Sequence, residues 1–160
     1  MTHYTGVGSR QTPQYVLELM TRIAMKCCRL GYTLRSGGAD GADKAFEAGA
    51  GAMKEIYLAH HSTPEAEALA SKFHPAWNRC SSFVRKLHGR NSFQVLGPAL
   101  ISPSTALVCW TPDGCISHAE RTIKTGGTGT AISIANAYNV PIFNLQRADH
   151  YDIWMRWARN

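Results

Sequence analysis

The chain has 160 residues, enough for one compact domain and short for two. A hydrophobic share of 44% excludes wholesale disorder. Lysine and arginine outnumber aspartate and glutamate by 17 to 11, and the net charge of +6 suits a phosphate-bearing partner without amounting to a nucleic-acid-binding tail.

The start, Met1-Thr2-His3-Tyr4, has neither a basic nor an apolar signal region, so no secretory leader is expected. Extended structure is predicted from His3 to Val7. A helix follows from Thr12-Pro13, with Thr12 as cap and the proline at the first helical position. Val16, Met20, Ile23, Cys27 and Leu30 recur at helical spacing and form its buried face, and Gly31 stops it. A second strand is predicted at Tyr32 to Leu34, a small helix through Phe46 and Ala50, and a third strand near Glu55 to Ala59.

The middle is polar and reads as helical pieces, Pro64 to Phe73, Pro75 to Leu87 and Asn91 to Leu96. Strand character resumes at Thr105 to Trp110; the longest apolar run, Ala106 to Trp110, lies here. A membrane span needs roughly 20 apolar residues, so no membrane partner is expected. A helix then carries Ala131, Ile134, Ala135 and Tyr138 on one face. Val140 to Phe143 form another strand, and a helix from Asp149 docks Ile153, Trp154 and Trp157. Strands alternating with helices predict an α/β fold, a mainly parallel sheet covered on both faces. The whole of 1–160 reads as a single domain with a helical insertion at about 60–104.

The fourteen glycines concentrate in three loops at predicted strand-to-helix junctions: Gly6 to Arg10, Ser36 to Asp43, and Thr125 to Thr130. Glycine lets backbone amides approach an anion, and a following helix adds unpaired N–H groups. The candidate phosphate-binding residues are therefore Gly8, Ser9, Arg10, Ser36, Gly37, Gly38, Gly41 and Asp43, with Gly126, Gly127, Thr128, Gly129 and Thr130. None of the loops is a Walker loop or a full dinucleotide fingerprint, and no cofactor is expected.

Gly8-Ser9-Arg10, then Ser36-Gly37 with Ala39, Gly41 and Asp43, then Arg90-Asn91, then Thr125-Gly126 with Thr130-Ala131, resembles the Rossmann-like core of the DNA-processing protein DprA (Smf). The resemblance covers most of the chain. It implies the wider SLOG superfamily, which includes the Lonely Guy (LOG) phosphoribohydrolases and whose members bind nucleotides or nucleotide-derived signals in a cleft at these loops. It also implies binding roles for Arg90 and Asn91, and homo-oligomers. Two departures stand out. Asp40 occupies a position where DprA-like proteins carry a basic residue, and Ile132-Ser133 stand where LOG enzymes have their catalytic glutamate.

Three functions follow. The first is binding of a nucleotide or nucleotide-derived signal by its phosphates. The second is DprA-like binding of single-stranded DNA, for which the charge and Arg90 argue and Asp40 argues against. The third is nucleotide N-glycosidic hydrolysis, with Asp43 the candidate carboxylate; Asp43 and Glu47 share a helix face if that helix begins early enough. Trp77 and Phe93 either stack on a ring of the ligand or pack inside, and Trp110 with Asp113 offers a further wall. His60, His61, His74, His88 and His118 match no metal-ligand spacing and read as surface or lid residues. The five cysteines lack a CxxC pair, which suits reduced thiols in a cytoplasm.

Overall fold

Residues 2–159 are described by the computed structural model; Met1, the first residue of the leader expectation, and Asn160, the last of the expected domain, lie outside them. Five parallel strands are hydrogen-bonded in the order β3-β2-β1-β4-β5: β1 (His3–Gly6), β2 (Thr33–Ser36), β3 (Lys54–Ile56), β4 (Leu107–Cys109) and β5 (Ile142–Asn144). Parallel neighbours need crossovers, which helices supply. The helices are α1 (Gln14–Arg29), α2 (Ala42–Ala50), α3 (Pro64–Ser71), α4 (Ser82–Leu96), α5 (Thr128–Ala137) and, after the last strand, α6 (Ala148–Arg159). This is the α/β, Rossmann-like architecture that the alternating pattern predicts.

On one face of the sheet, Val16, Leu19, Met20 and Ile23 of α1 pack with Phe46 of α2 and with Trp154 and Trp157 of α6. On the other, Val95 and Leu96 of α4 meet Leu107, Ile132 and Ile134. The α1 periodicity holds for Val16, Met20, Ile23 and Cys27. Leu30 is exposed, because the helix has already ended and the chain turns through Gly31 at φ +81°. Tyr138 is exposed for the same reason, standing just past the end of α5. Thr12 does not cap α1: its hydroxyl donates to the Ser9 carbonyl at 2.6 Å, and Pro13 takes the cap position.

The pieces expected at 75–87 and 91–96 are replaced by the single helix α4, capped by Ser81, whose Oγ accepts the Val84 N–H at 3.2 Å. Gly89 does not break it. A Cβ there would collide with Ser62 Oγ and Glu67 Cγ, so the glycine lets α4 lie close against the α3 segment.

Residues 60–104 carry the chain from β3, past β2 and β1, to β4 on the far side of β1. That reversal makes the carboxyl ends of β1 and β4 a topological switch point, where open α/β sheets bind ligands. No helix among the described residues is long and apolar enough to cross a membrane.

Candidate functional site

A cavity of about 720 Å³ opens at this switch point. Gly8, Ser9, Arg10 and Gln11 line it from the loop after β1, Ala39 from the loop after β2 and Asp43 from the first turn of α2. Pro112 and residues 123–128 form a second wall. The third is α4, whose Leu87, Arg90, Asn91 and Gln94 fall on one stripe at spacings of three and four, with His88 beside them.

Asp43 organises the first two loops. It is 4% exposed; its carboxylate accepts the Ala39 N–H at 3.2 Å, and the Gly8 and Gly37 amides stand close enough to favour its charge. Burial pushes its pKa up to about 6, against the opposing pull of those amides and of the Arg90 charge. Amides expected to hold a ligand phosphate are thus turned onto a side chain of the protein itself. The Ser9 amide is also committed, donating to the Trp110 carbonyl at 3.1 Å. Gly8 and Gly41 are needed for loop-on-loop packing: a Cβ on Gly8 would stand 2.8 Å from Ala42 Cβ, and one on Gly41 2.8 Å from Arg10 Cα.

Arg90 is fixed from its own helix outward. Nε donates to Leu87 O at 3.3 Å, and Nη1 donates to Gly37 O at 2.5 Å and to Tyr57 O at 3.2 Å. Nη2 makes no hydrogen bond among the described residues. A Cβ on Gly37 would collide with this guanidinium and with the Gln94 amide, so glycine is required there for both to be placed.

Asn91 ties α4 to the third loop, its Nδ2 donating to Gly127 O at 3.2 Å. His88 is buried, with Nδ1 at 2.9 Å from Thr130 Oγ1; burial, then the neighbouring His74, Arg121 and Arg90, push its pKa down to about 4. The imidazole is therefore neutral at physiological pH.

Gly126 and Gly127 open onto free space, and α5 starts at Thr128, which borders the cavity; the next N–H, that of Gly129, already donates to Gly126 O at 3.0 Å. This third loop follows a 3₁₀ turn at Ile123–Thr125 rather than a strand. Asp113 clamps it by accepting the hydroxyls of Thr111 and Thr122 at 2.7 Å each, together with that of Thr125. Burial alone would raise the Asp113 pKa, but the three hydroxyls and the Cys115 N–H bring it down to about 2.

Of the expected binding residues, Gly8, Ser9, Arg10, Asp43, Arg90, Asn91, Gly126, Gly127 and Thr128 come together around the cavity. The others do not line it. Ser36 donates to Gly6 O at 2.6 Å, Gly38 sits against Ile56 and Leu58, Gly129 lies beneath Arg121, and buried Thr130 holds His88. Asp40 is exposed outside the cavity, and Glu47 pairs with Lys54 at 2.9 Å rather than acting beside Asp43.

Trp110 belongs to the core, and Asp113 is a loop clamp rather than a wall. Phe93 packs against Tyr57 with ring centroids 5.5 Å apart, and Trp77 against His74 and His88, so neither faces the cavity. Sequence reasoning missed His88, Gln94, Ile123 and Lys124; Gln94 was accessible from its helical spacing to Arg90 and Asn91. Among the described residues no three His, Cys, Asp or Glu side chains gather as metal ligands.

The fold and the cavity at its switch point define a Rossmann-like α/β protein with a ligand-sized site. No protein-family model and no curated protein matches the chain. A solved structure does: DNA processing protein A from Helicobacter pylori, described for its single-stranded DNA binding mode, is similar with a TM-score of 0.54 and 15% identity. The match covers 89% of this chain but only 64% of that protein, so the chain spans less than two thirds of its length. At that identity the likeness supports the fold.

Proposed function

We propose that the cavity binds a nucleotide-type ligand, its phosphate held by Arg10, Arg90, Lys124 and the amino end of α5. One observation carries this: three cationic side chains and a helix N-terminus border the same cavity, and Arg90 has a guanidinium nitrogen to spare. The volume lies within the range of roughly 300–1,000 Å³ typical of small-molecule sites. Leu87, Pro112 and Ile123 supply an apolar flank for a base or sugar. On this proposal the first two loops act indirectly, since Asp43 gathers their amides and so fixes the backbone that carries Arg10. Residues 1–160 are then one SLOG-type domain in which 60–104 provides the ligand-reading helix.

A second reading, single-stranded DNA binding, is favoured by the similarity to the Helicobacter pylori protein and by Arg10 and Lys124, which are both exposed at the rim. Against it, no Phe, Tyr or Trp among the described residues lines the cavity, whereas strand-binding grooves stack bases on such rings.

Calorimetric titration with nucleoside monophosphates and a thymidine oligonucleotide, at about 50 and 200 mM salt, separates the two. A mononucleotide is expected to bind with weak salt dependence, and the double variant Arg10→Ala/Lys124→Ala to weaken it by about tenfold or more. Oligonucleotide binding that falls steeply with salt, alongside no mononucleotide binding, would replace the first reading with the second.

A further inference from the structure

Four polar side chains of α4 are buried: His88, Asn91, Ser92 and Gln94. Three have partners, His88 with Thr130 Oγ1, Asn91 with Gly127 O and Ser92 with Ala66 O. Gln94 has none for its side chain among the described residues, although it is only 1% exposed, and its Oε1 is an orphaned buried acceptor. Leaving a buried amide unpaired is unfavourable, and native proteins do it seldom. Tyr4, Arg35 and Trp154 also carry orphaned buried atoms, but none of them lines the cavity, whereas Gln94 does. Gly37, by lacking a Cβ, leaves the space in which the Gln94 amide and the Arg90 guanidinium lie side by side.

We infer that Gln94 reads a hydrogen-bonding edge of the ligand, a donor beside an acceptor such as a nucleobase presents, while the cations at the rim hold its phosphate. This rests on the nucleotide proposal above and assigns it a second contact of different chemistry. A glutamine amide offers one acceptor oxygen and two N–H donors on a plane. Rotation about its terminal torsion exchanges them at little cost, so either group meets an edge entering from the cavity. Glutamine pairs with base edges in this bidentate way in nucleic-acid recognition. A sugar phosphate without a base has no such edge and leaves Gln94 unpaired.

The test compares AMP, GMP, CMP and UMP with ribose 5-phosphate, by calorimetry, on the wild type and on Gln94→Leu and Gln94→Met. The variants keep the bulk of the side chain and remove its amide. In the absence of ligand both are expected to be at least as stable as the wild type, since an unpaired polar group has been deleted. The tightest-binding monophosphate is expected to lose about tenfold or more in affinity in both variants, with ribose 5-phosphate unchanged. Equal losses for both probes, no loss for either, or a marked drop in ligand-free stability would overturn the assignment and make Gln94 a structural residue. Ribose 5-phosphate binding the wild type as tightly as every monophosphate would also overturn it, while leaving the phosphate site intact. Failure of all five probes to bind the wild type would remove the nucleotide proposal and this inference together.

Discussion

Replacing Arg90 with alanine is expected to abolish nucleotide binding and to destabilise the chain by about 2–4 kcal/mol. The side chain spans three elements through the carbonyls of Leu87, Gly37 and Tyr57. Truncation removes the Arg90 donors from the Gly37 and Tyr57 carbonyls and withdraws the positive charge that favours ionised Asp43 in its buried site. For a chain of this size the loss corresponds to a melting temperature lower by roughly 5–15 °C. Arg90→Lys keeps a charge but not the planar fork, and should fall between alanine and wild type in both stability and affinity. Urea unfolding and calorimetric titration of the two variants provide the check. An alanine variant with wild-type values on both would show that Arg90 holds neither the loops nor the ligand.

Asp43→Asn is expected to change how stability depends on pH. Burial raises the Asp43 pKa from 3.8 to about 6 in the folded chain, so between those values the folded state binds the proton more readily than the unfolded state. The contribution of this group is therefore fully present below pH 4 and is lost as pH rises through about 6. At 1.36 kcal/mol per pH unit the gap amounts to about 3 kcal/mol. Relative to Asp43→Asn, the wild type should thus lose about 3 kcal/mol of stability between pH 4 and pH 7. Taking the difference between the two proteins matters, because His88 works in the opposite direction: its pKa is depressed to about 4, so its contribution grows as pH rises toward 6.5. Denaturant melts of both proteins at several pH values read this directly. Parallel stability curves would mean that Asp43 is not held as a buried carboxylate.

Much of the fold was legible because burial imposes a period on the chain. The steps of four and three through Val16, Met20, Ile23 and Cys27 mark one face of α1, and short apolar runs mark the buried parallel strands. Helix α4 was harder to read, since one side packs in the core while another lines the cavity. Its polar residues are buried, so the usual contrast between wet and dry faces is weak. Glycine positions located all three cavity loops but could not reveal where the amides go, because the competing anion, Asp43, is brought to them only by the tertiary fold.

Net charge was a poor guide for a similar reason. Arg35 is 2% exposed and donates to Ser102 O at 2.6 Å, while Arg121 donates to Phe73 O at 2.5 Å and to Ser133 Oγ at 3.0 Å. Those cations support the scaffold, and among the described residues Arg10, Arg90 and Lys124 are the cations that line the cavity.

On the proposed function, a ligand phosphate sits at the α5 end of the cavity, while Asp43 keeps the amides of the first two loops. Titration of the ¹⁵N-labelled chain with AMP, followed by amide chemical shifts, tests it most directly. The largest shifts are expected at Gly126, Gly127, Thr128 and the side-chain amide of Gln94, with Gly8, Gly37 and Ala39 nearly unmoved. Dominant shifts at Gly8, Gly37 and Ala39, or at residues remote from the cavity such as Arg156 and Arg159, would contradict it.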